Sequence, residues 1–241
     1  NYTAENYNLT NIGESAFSGA TSLTSVTIPS FIIDIGATAF SGATSLADIT
    51  ISGSTIPTVA ADSFSNINPT FNVSFNDLKY MKGVSTNSVV GNNSAMTTIP
   101  TILQTVPMFD TTNVTEFGAN AFKDYTSLGA VAIPSFITSI GTAAFSGATS
   151  LVDITIEGST VPTYAADSFS NINPTFNVTF DNLIYNKDAS ANISVVGNNS
   201  AMTTIPTILQ TIPLFDTTNV TNIGANAFKD YLGITSTIIP E

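Results

Sequence analysis

The sequence predicts a repeat solenoid: mainly β, with a parallel sheet along one side and short helical turns and loops on the opposite side. Three observations carry this. A paragraph of 105 residues, Gly13 to Phe117, is followed by a close copy from Gly118 to Ile223. Within the copies, Val89–Thr105 recurs letter for letter as Val195–Thr211, and Asp62–Val73 recurs as Asp167–Val178. Inside each copy a period of about 23 residues is legible, because Ala16-Phe17, Ala39-Phe40, Ala121-Phe122, Ala144-Phe145 and Ala227-Phe228 each follow an Ile-Gly or Phe-Gly pair. Periods of this size mark stacked supersecondary units, none of which buries its apolar side alone.

One coil runs from Ile35 to Pro57. Gly36 allows a tight entry, and the residues after it predict a short helical turn that buries Phe40. Gly42 is placed to end that turn at positive φ, where it carries no Cβ penalty. Leu46, Ile49 and Ile51 follow, and alternation points Ile49 and Ile51 inward and Asp48 and Thr50 outward. Pro57 suits a strand exit, since it would remove a ladder donor from a central strand. The same strand is expected at Val26–Ile28, Val131–Ile133 and Ile154–Ile156, with aromatic versions at Phe71–Phe75 and Phe176–Phe180.

The stretch from Phe64 to Phe122 has no further Ala-Phe signature but is too long for a bare loop. Val89-Val90 and Val106–Phe109 are candidate strands there, which gives about five coils per copy and a parallel sheet about 50 Å long at roughly 4.8 Å per strand. The expected organisation is a single solenoid over residues 1–241, with a cap or partial coil at 1–12, supra-repeats at 13–117 and 118–223, and a partial coil or cap at 224–241. The chain begins at Asn1, which is compatible with a processed leader or a longer parent chain.

Comparing the copies separates core from surface. Ile56/Val161, Val106/Ile212, Met108/Leu214 and Phe117/Ile223 exchange apolar groups of similar volume, as buried positions tolerate. Asp34/Ser139, Ser52/Glu157 and Glu116/Asn222 exchange polar types, as exposed positions do. The one length change lies between Tyr80 and Val89, against Tyr185 and Val195, and marks a surface loop.

Composition removes whole classes of chemistry. The chain has no Cys, His, Arg or Trp, so Ser-His-Asp and Cys-His nucleophiles and ordinary zinc sites are excluded. Five lysines against 17 acidic residues give a net charge of −12, which repels phosphate backbones and excludes nucleic-acid partners. No apolar run reaches the 18 or more residues of a membrane-spanning helix.

The remaining candidates are carboxylates, amides and hydroxyls. Asp48 and Asp153 occupy equivalent strands in different copies, too far apart for the roughly 5–10 Å of a glycosidase carboxylate pair. Asp110 and Asp216 are likewise isolated, and Asp62 and Asp167 are weak calcium candidates without an EF-hand or glycine-rich nonapeptide around them. No cofactor is implied. The outward strand positions Ser25, Thr27, Asp48, Thr50, Asn72, Ser74, Asp153, Thr155, Asn177 and Thr179 form polar files that offer a binding face. Asp, Asn and Ala interrupt these files, which argues against an ice-ordering threonine array. Nine Asn-x-Ser/Thr sequons occur. In a eukaryotic secreted protein Asn8, Asn92, Asn113, Asn192, Asn198 and Asn219 would be the glycosylation candidates, Asn72 and Asn177 lying in predicted strands.

The unit Ala39-Phe-Ser-Gly-Ala-Thr-Ser-Leu46 with its Ile-Gly-x-x-Ala-Phe restart resembles the BspA-like leucine-rich repeats. Leu183-Ile-Tyr-Asn-Lys-Asp188 is similar to a hairpin common in such proteins, and Phe109–Thr115 to a related repeat type found beside them. The chain departs from the family at Ala20, Ala43 and Ala148, where its repeats often carry Cys. The resemblance implies a solenoid of the leucine-rich-repeat type in an extracellular or cell-surface protein of bacteria or protists. It also implies adhesion to a protein or glycan ligand on another cell or matrix, with no catalytic residues. The alternative from a different class is a self-assembling filament or surface-layer subunit associating end to end.

Overall fold

Alternating apolar and polar residues set the strands, and the 23-residue period sets their spacing. The computed structural model describes residues 9–109, 112–198, 201–209 and 219–235. The chain divides into two units: Asn1–Asn92 with Leu103–Glu116, and Asn93–Ile102 with Phe117–Glu241.

In the first unit each coil carries two strands. The short ones, β1 (Asn11–Ile12), β3 (Asp34–Ile35) and β5 (Thr58–Val59), pair in parallel in the order β1-β3-β5. The longer ones, β2 (Ser25–Ile28), β4 (Asp48–Ile51) and β6 (Phe71–Phe75), pair in parallel in a second sheet. In β4, Ile49 and Ile51 are buried while Asp48 and Thr50 are exposed, as the alternation predicts. In the second unit β10 (Ala130–Ile133), β12 (Asp153–Ile156) and β14 (Phe176–Phe180) repeat the longer parallel set, and β11 (Ser139–Ile140) pairs with β13 (Thr163–Tyr164).

After three coils the pattern changes. The chain from β6 does not make a further parallel coil but turns back as β7 (Leu78–Lys82) and again as β8 (Asn87–Gly91), both antiparallel to their predecessors. β14, β15 (Leu183–Lys187) and β16 (Ile193–Gly197) repeat this meander. The expected five coils per copy in one continuous parallel sheet are therefore corrected to three coils and an antiparallel meander per copy. The hairpin is set by Asn76-Asp77 and Asp181-Asn182, whose φ values of 50°, 61°, 48° and 63° give two consecutive left-handed residues. That is the type I′ geometry that matches strand twist. Val106–Phe109 is a turn rather than a strand, closed by the Phe109 N–H to the Val106 carbonyl at 2.8 Å. β8 then takes β9 (Val114–Phe117) as its neighbour, and β16 takes β17 (Asn222–Ile223).

The side opposite the longer strands is built from turns, and no helix forms among the described residues. The reason lies in the backbone. Around each signature Phe, two residues four apart are left-handed: Ser15/Gly19, Thr38/Gly42, Asp62/Asn66, Asn120/Asp124, Ala143/Gly147 and Asn226/Asp230. Gly42, at φ 77°, meets the sequence expectation, and Gly147 repeats it in the second copy at 78°. This geometry splits the amide bonding between alternate residues. Ala39, Ser41 and Ala43 donate within the coil to Gly36, Thr38 and Phe40, while Phe40 and Gly42 donate to Ser63 and Ser65 of the next coil at 2.8 and 2.9 Å. The turn side thus has its own inter-coil ladder. Coils approach so closely there that a Cβ on Gly36 would lie 2.6 Å from the Glu14 nitrogen, and on Gly141 2.7 Å from the Ala119 nitrogen.

Phe rings fill the interior beneath this ladder. Phe17, Phe40 and Phe64 stack with centroids 5.0 Å apart at each step. Phe122, Phe145 and Phe169 repeat the stack at 5.2 and 5.0 Å. Phe40, Phe122 and Phe145 are fully buried, whereas Phe17 at the end of its stack is 45% exposed. Phe117 is buried edge-on against Phe122 and Phe145. Its counterpart Ile223, expected in the core, is 44% exposed, because among the described residues it has no counterpart of Phe145 to cover it.

Candidate functional site

Parallel pairing brings the outward positions into register. Ser25, Asp48 and Asn72 stand opposite one another, as do Thr27, Thr50 and Ser74. In the second unit the files are Ala130, Asp153, Asn177 and Ala132, Thr155, Thr179. Side chains also bond along the files. The Asn72 amide donates to the Asp48 carboxylate at 2.9 Å, and Asn177 donates to Asp153 at 2.9 Å. Each bond fixes an Asp-Asn pair on the surface and leaves the flanking hydroxyls of Thr50 and Thr155 beside it. The meander extends the files differently in the two copies: Asn72 faces Met81 and Ser74 faces Lys79, whereas Asn177 faces Asn186 and Thr179 faces Ile184.

The weak calcium candidates occupy turns. Asp62 is one of the left-handed residues, at φ 59°, and the Asp167 carboxylate accepts the Ala143 N–H at 3.2 Å from the neighbouring coil. Among the described residues no group of three or more acidic side chains is gathered as metal ligands would be.

The glycosylation candidates separate by geometry. Asn92, Asn113, Asn192, Asn198 and Asn219 are exposed. The Asn192 amide nitrogen, which a glycan would occupy, donates to Asp188 at 2.9 Å. That bond, with the Asn192 and Ser190 backbone N–H groups, holds the Asp188 carboxyl below the usual carboxylate range. Asn8, Asp110 and Asp216 lie outside the described residues.

Two further arrangements escape a reading by spacing. Tyr80 and Tyr185 are fully buried, and each phenol oxygen accepts a backbone N–H at 3.1 Å, from Leu103 and Leu209 respectively. Burial raises both phenols above their ordinary pKa, against the lowering effect of the accepted N–H. Recesses also gather around the β7–β8 turn of the first unit, between Lys82 and Asn87. The signal for the second was present: this turn is where the copies differ in length.

The profile of the BspA type leucine rich repeat region, in 6 copies, matches residues 2–107 and 104–241. The chain belongs to the BspA-type leucine-rich-repeat family. No curated protein matches it in sequence. Among solved structures it is similar to a leucine rich cell surface protein from Faecalibacterium prausnitzii A2-165, at 21% identity and a TM-score of 0.28. The match covers 95% of this chain and 64% of that protein, so the chain spans about two thirds of its length. The matched residues span the three-coil stacks of both copies. No helix of the described residues is long and apolar enough to cross a membrane.

Proposed function

We propose that the chain is a non-catalytic contact module of a cell-surface or extracellular protein, working in adhesion through repeated weak contacts with protein or glycan. One observation carries this reading: the outward positions of three successive strands stand in register in each copy, polar on all three strands of the first copy and on two of the three in the second. A ligand that reads one copy's face meets a related face on the other, and linked weak contacts multiply into avidity of about 10²- to 10⁴-fold. Membership of the BspA-type family supports the surface placement.

Binding of the whole chain to immobilised matrix proteins and to a glycan array tests it. Asp48→Ala with Thr50→Ala in the first copy, or Asp153→Ala with Thr155→Ala in the second, should each weaken retention modestly. All four together should lower it by roughly 10²-fold or more. Undiminished retention by the fourfold variant would remove the sheet face from the function.

A further inference from the structure

The two copies are least alike at the tip joining β7 to β8, and the chemistry there is distinctive. Gly83 donates its N–H to the Thr86 carbonyl at 3.1 Å, and a Cβ on Gly83 would collide with that same oxygen. The turn is therefore fixed in one tight shape. Around it lie three adjoining recesses of about 190, 390 and 430 Å³, all lined by Lys82 and Gly83. The two larger fall within the range of about 300–1,000 Å³ usual for small-ligand sites. Amides and hydroxyls supply most of the remaining polar lining, and no Asp or Glu lines any of the three. On a chain of net charge −12, these recesses hold a half-buried lysine and, among the described residues, no carboxylate in their lining.

Apolar groups flank the cation. Val84 is 86% exposed and Met81 is 39% exposed. The recess also continues the outward face, since Asn72 lines it and bonds to Asp48 in the polar file. The second copy differs in its electrostatics. Its equivalent lysine, Lys187, lies 5.3 Å from the centre of the Phe176 ring, and the next residue, Asp188, is held ionised by its own loop. An anion would be attracted to the first tip, whereas at the second the Asp188 charge offsets that of Lys187.

We propose that the β7–β8 tip of the first copy binds a carboxylate-bearing saccharide. Lys82 Nζ takes the carboxylate, the Asn side chains of the same recess take ring hydroxyls, and Val84 covers the apolar face of the sugar. An acidic peptide would satisfy the charge, but the amides and hydroxyls clustered around it match the many hydroxyls of a sugar ring more closely. The proposal rests on the contact-module reading and assigns one subsite within it.

The test titrates the whole chain with sialyllactose and with trigalacturonate, the two sources of a sugar carboxylate, and with lactose and an oligo-Glu peptide for comparison. Either acidic sugar should shift the amide NMR signals of residues 82–87 and bind at least 10-fold tighter than lactose or the peptide. The responding sugar identifies the source. Lys82→Gln should lower that affinity at least 10-fold, Lys82→Arg should retain most of it, and Lys187→Gln should change it less than 2-fold. Equal binding of lactose or peptide, no response to either acidic sugar, or indifference to Lys82→Gln would overturn the site. Matrix or glycan-array retention that survives Lys82→Gln would leave the contact-module function standing without this subsite.

Discussion

A left-handed conformation costs a residue with a Cβ about 1–2 kcal/mol. Gly42 and Gly147 were legible as such positions because glycine announces them. Ser15 and Ala143 were not, since the groups that hold them left-handed, the Ala37 carbonyl and the Asp167 carboxylate, belong to another coil. Ala143, at φ 53°, is the cleanest case, having neither a polar side chain nor a glycine's freedom. Ala143→Gly should stabilise the protein by about 0.5–1 kcal/mol, the relief of strain exceeding the added chain entropy. Equilibrium denaturation measures it, and a loss of stability would show that the left-handed turn carries no strain there. Tyr80 gives the opposite case. Tyr80→Phe leaves the Leu103 N–H without its acceptor and should cost about 1–3 kcal/mol. Because the folded phenols titrate above the unfolded value, their contribution is complete below about pH 10 and falls as pH rises through the raised values. Alkaline melts of the wild type and of Tyr80→Phe with Tyr185→Phe should therefore converge.

Among elements, the Phe stacks carry most of the coil-to-coil packing. Phe40→Ala or Phe145→Ala should cost about 3–5 kcal/mol, as loss of a fully buried ring does. Phe17→Ala should cost much less, since that ring is 45% exposed. Equal losses at Phe17 and Phe40 by denaturant titration would contradict the ladder's graded burial. The longer strands and the stacks were plain in the sequence because their period is local. The meander was not, because inward-outward alternation reads the same in a parallel coil and in an antiparallel return. Its signal was the pair Asn76-Asp77, repeated as Asp181-Asn182, between two alternating runs. The candidate face was half legible: alternation gave its residues, but the Asp48–Asn72 bond and the recess at Lys82 depend on which strands become neighbours.

At the scale of the molecule, 17 carboxylates against five lysines repel one another across the surface. Shortening the Debye length from about 30 Å at 0.01 M salt to about 8 Å at 0.15 M should raise the melting temperature by a few degrees. A fall would mean that attractive pairs such as Lys187 with Phe176 outweigh the repulsion. The strand that ends each meander bears on something other than stability. β8 takes β9, and β16 takes β17, as the short strand that begins the following turn of the pattern. Each copy thus contains both partners of its last pairing, β8 with β9 and β16 with β17. Unequal crossing-over between such similar stretches of coding DNA would add or remove one whole paragraph, complete with its own strand pairings. The gene can change the number of polar faces its product carries in 105-residue steps.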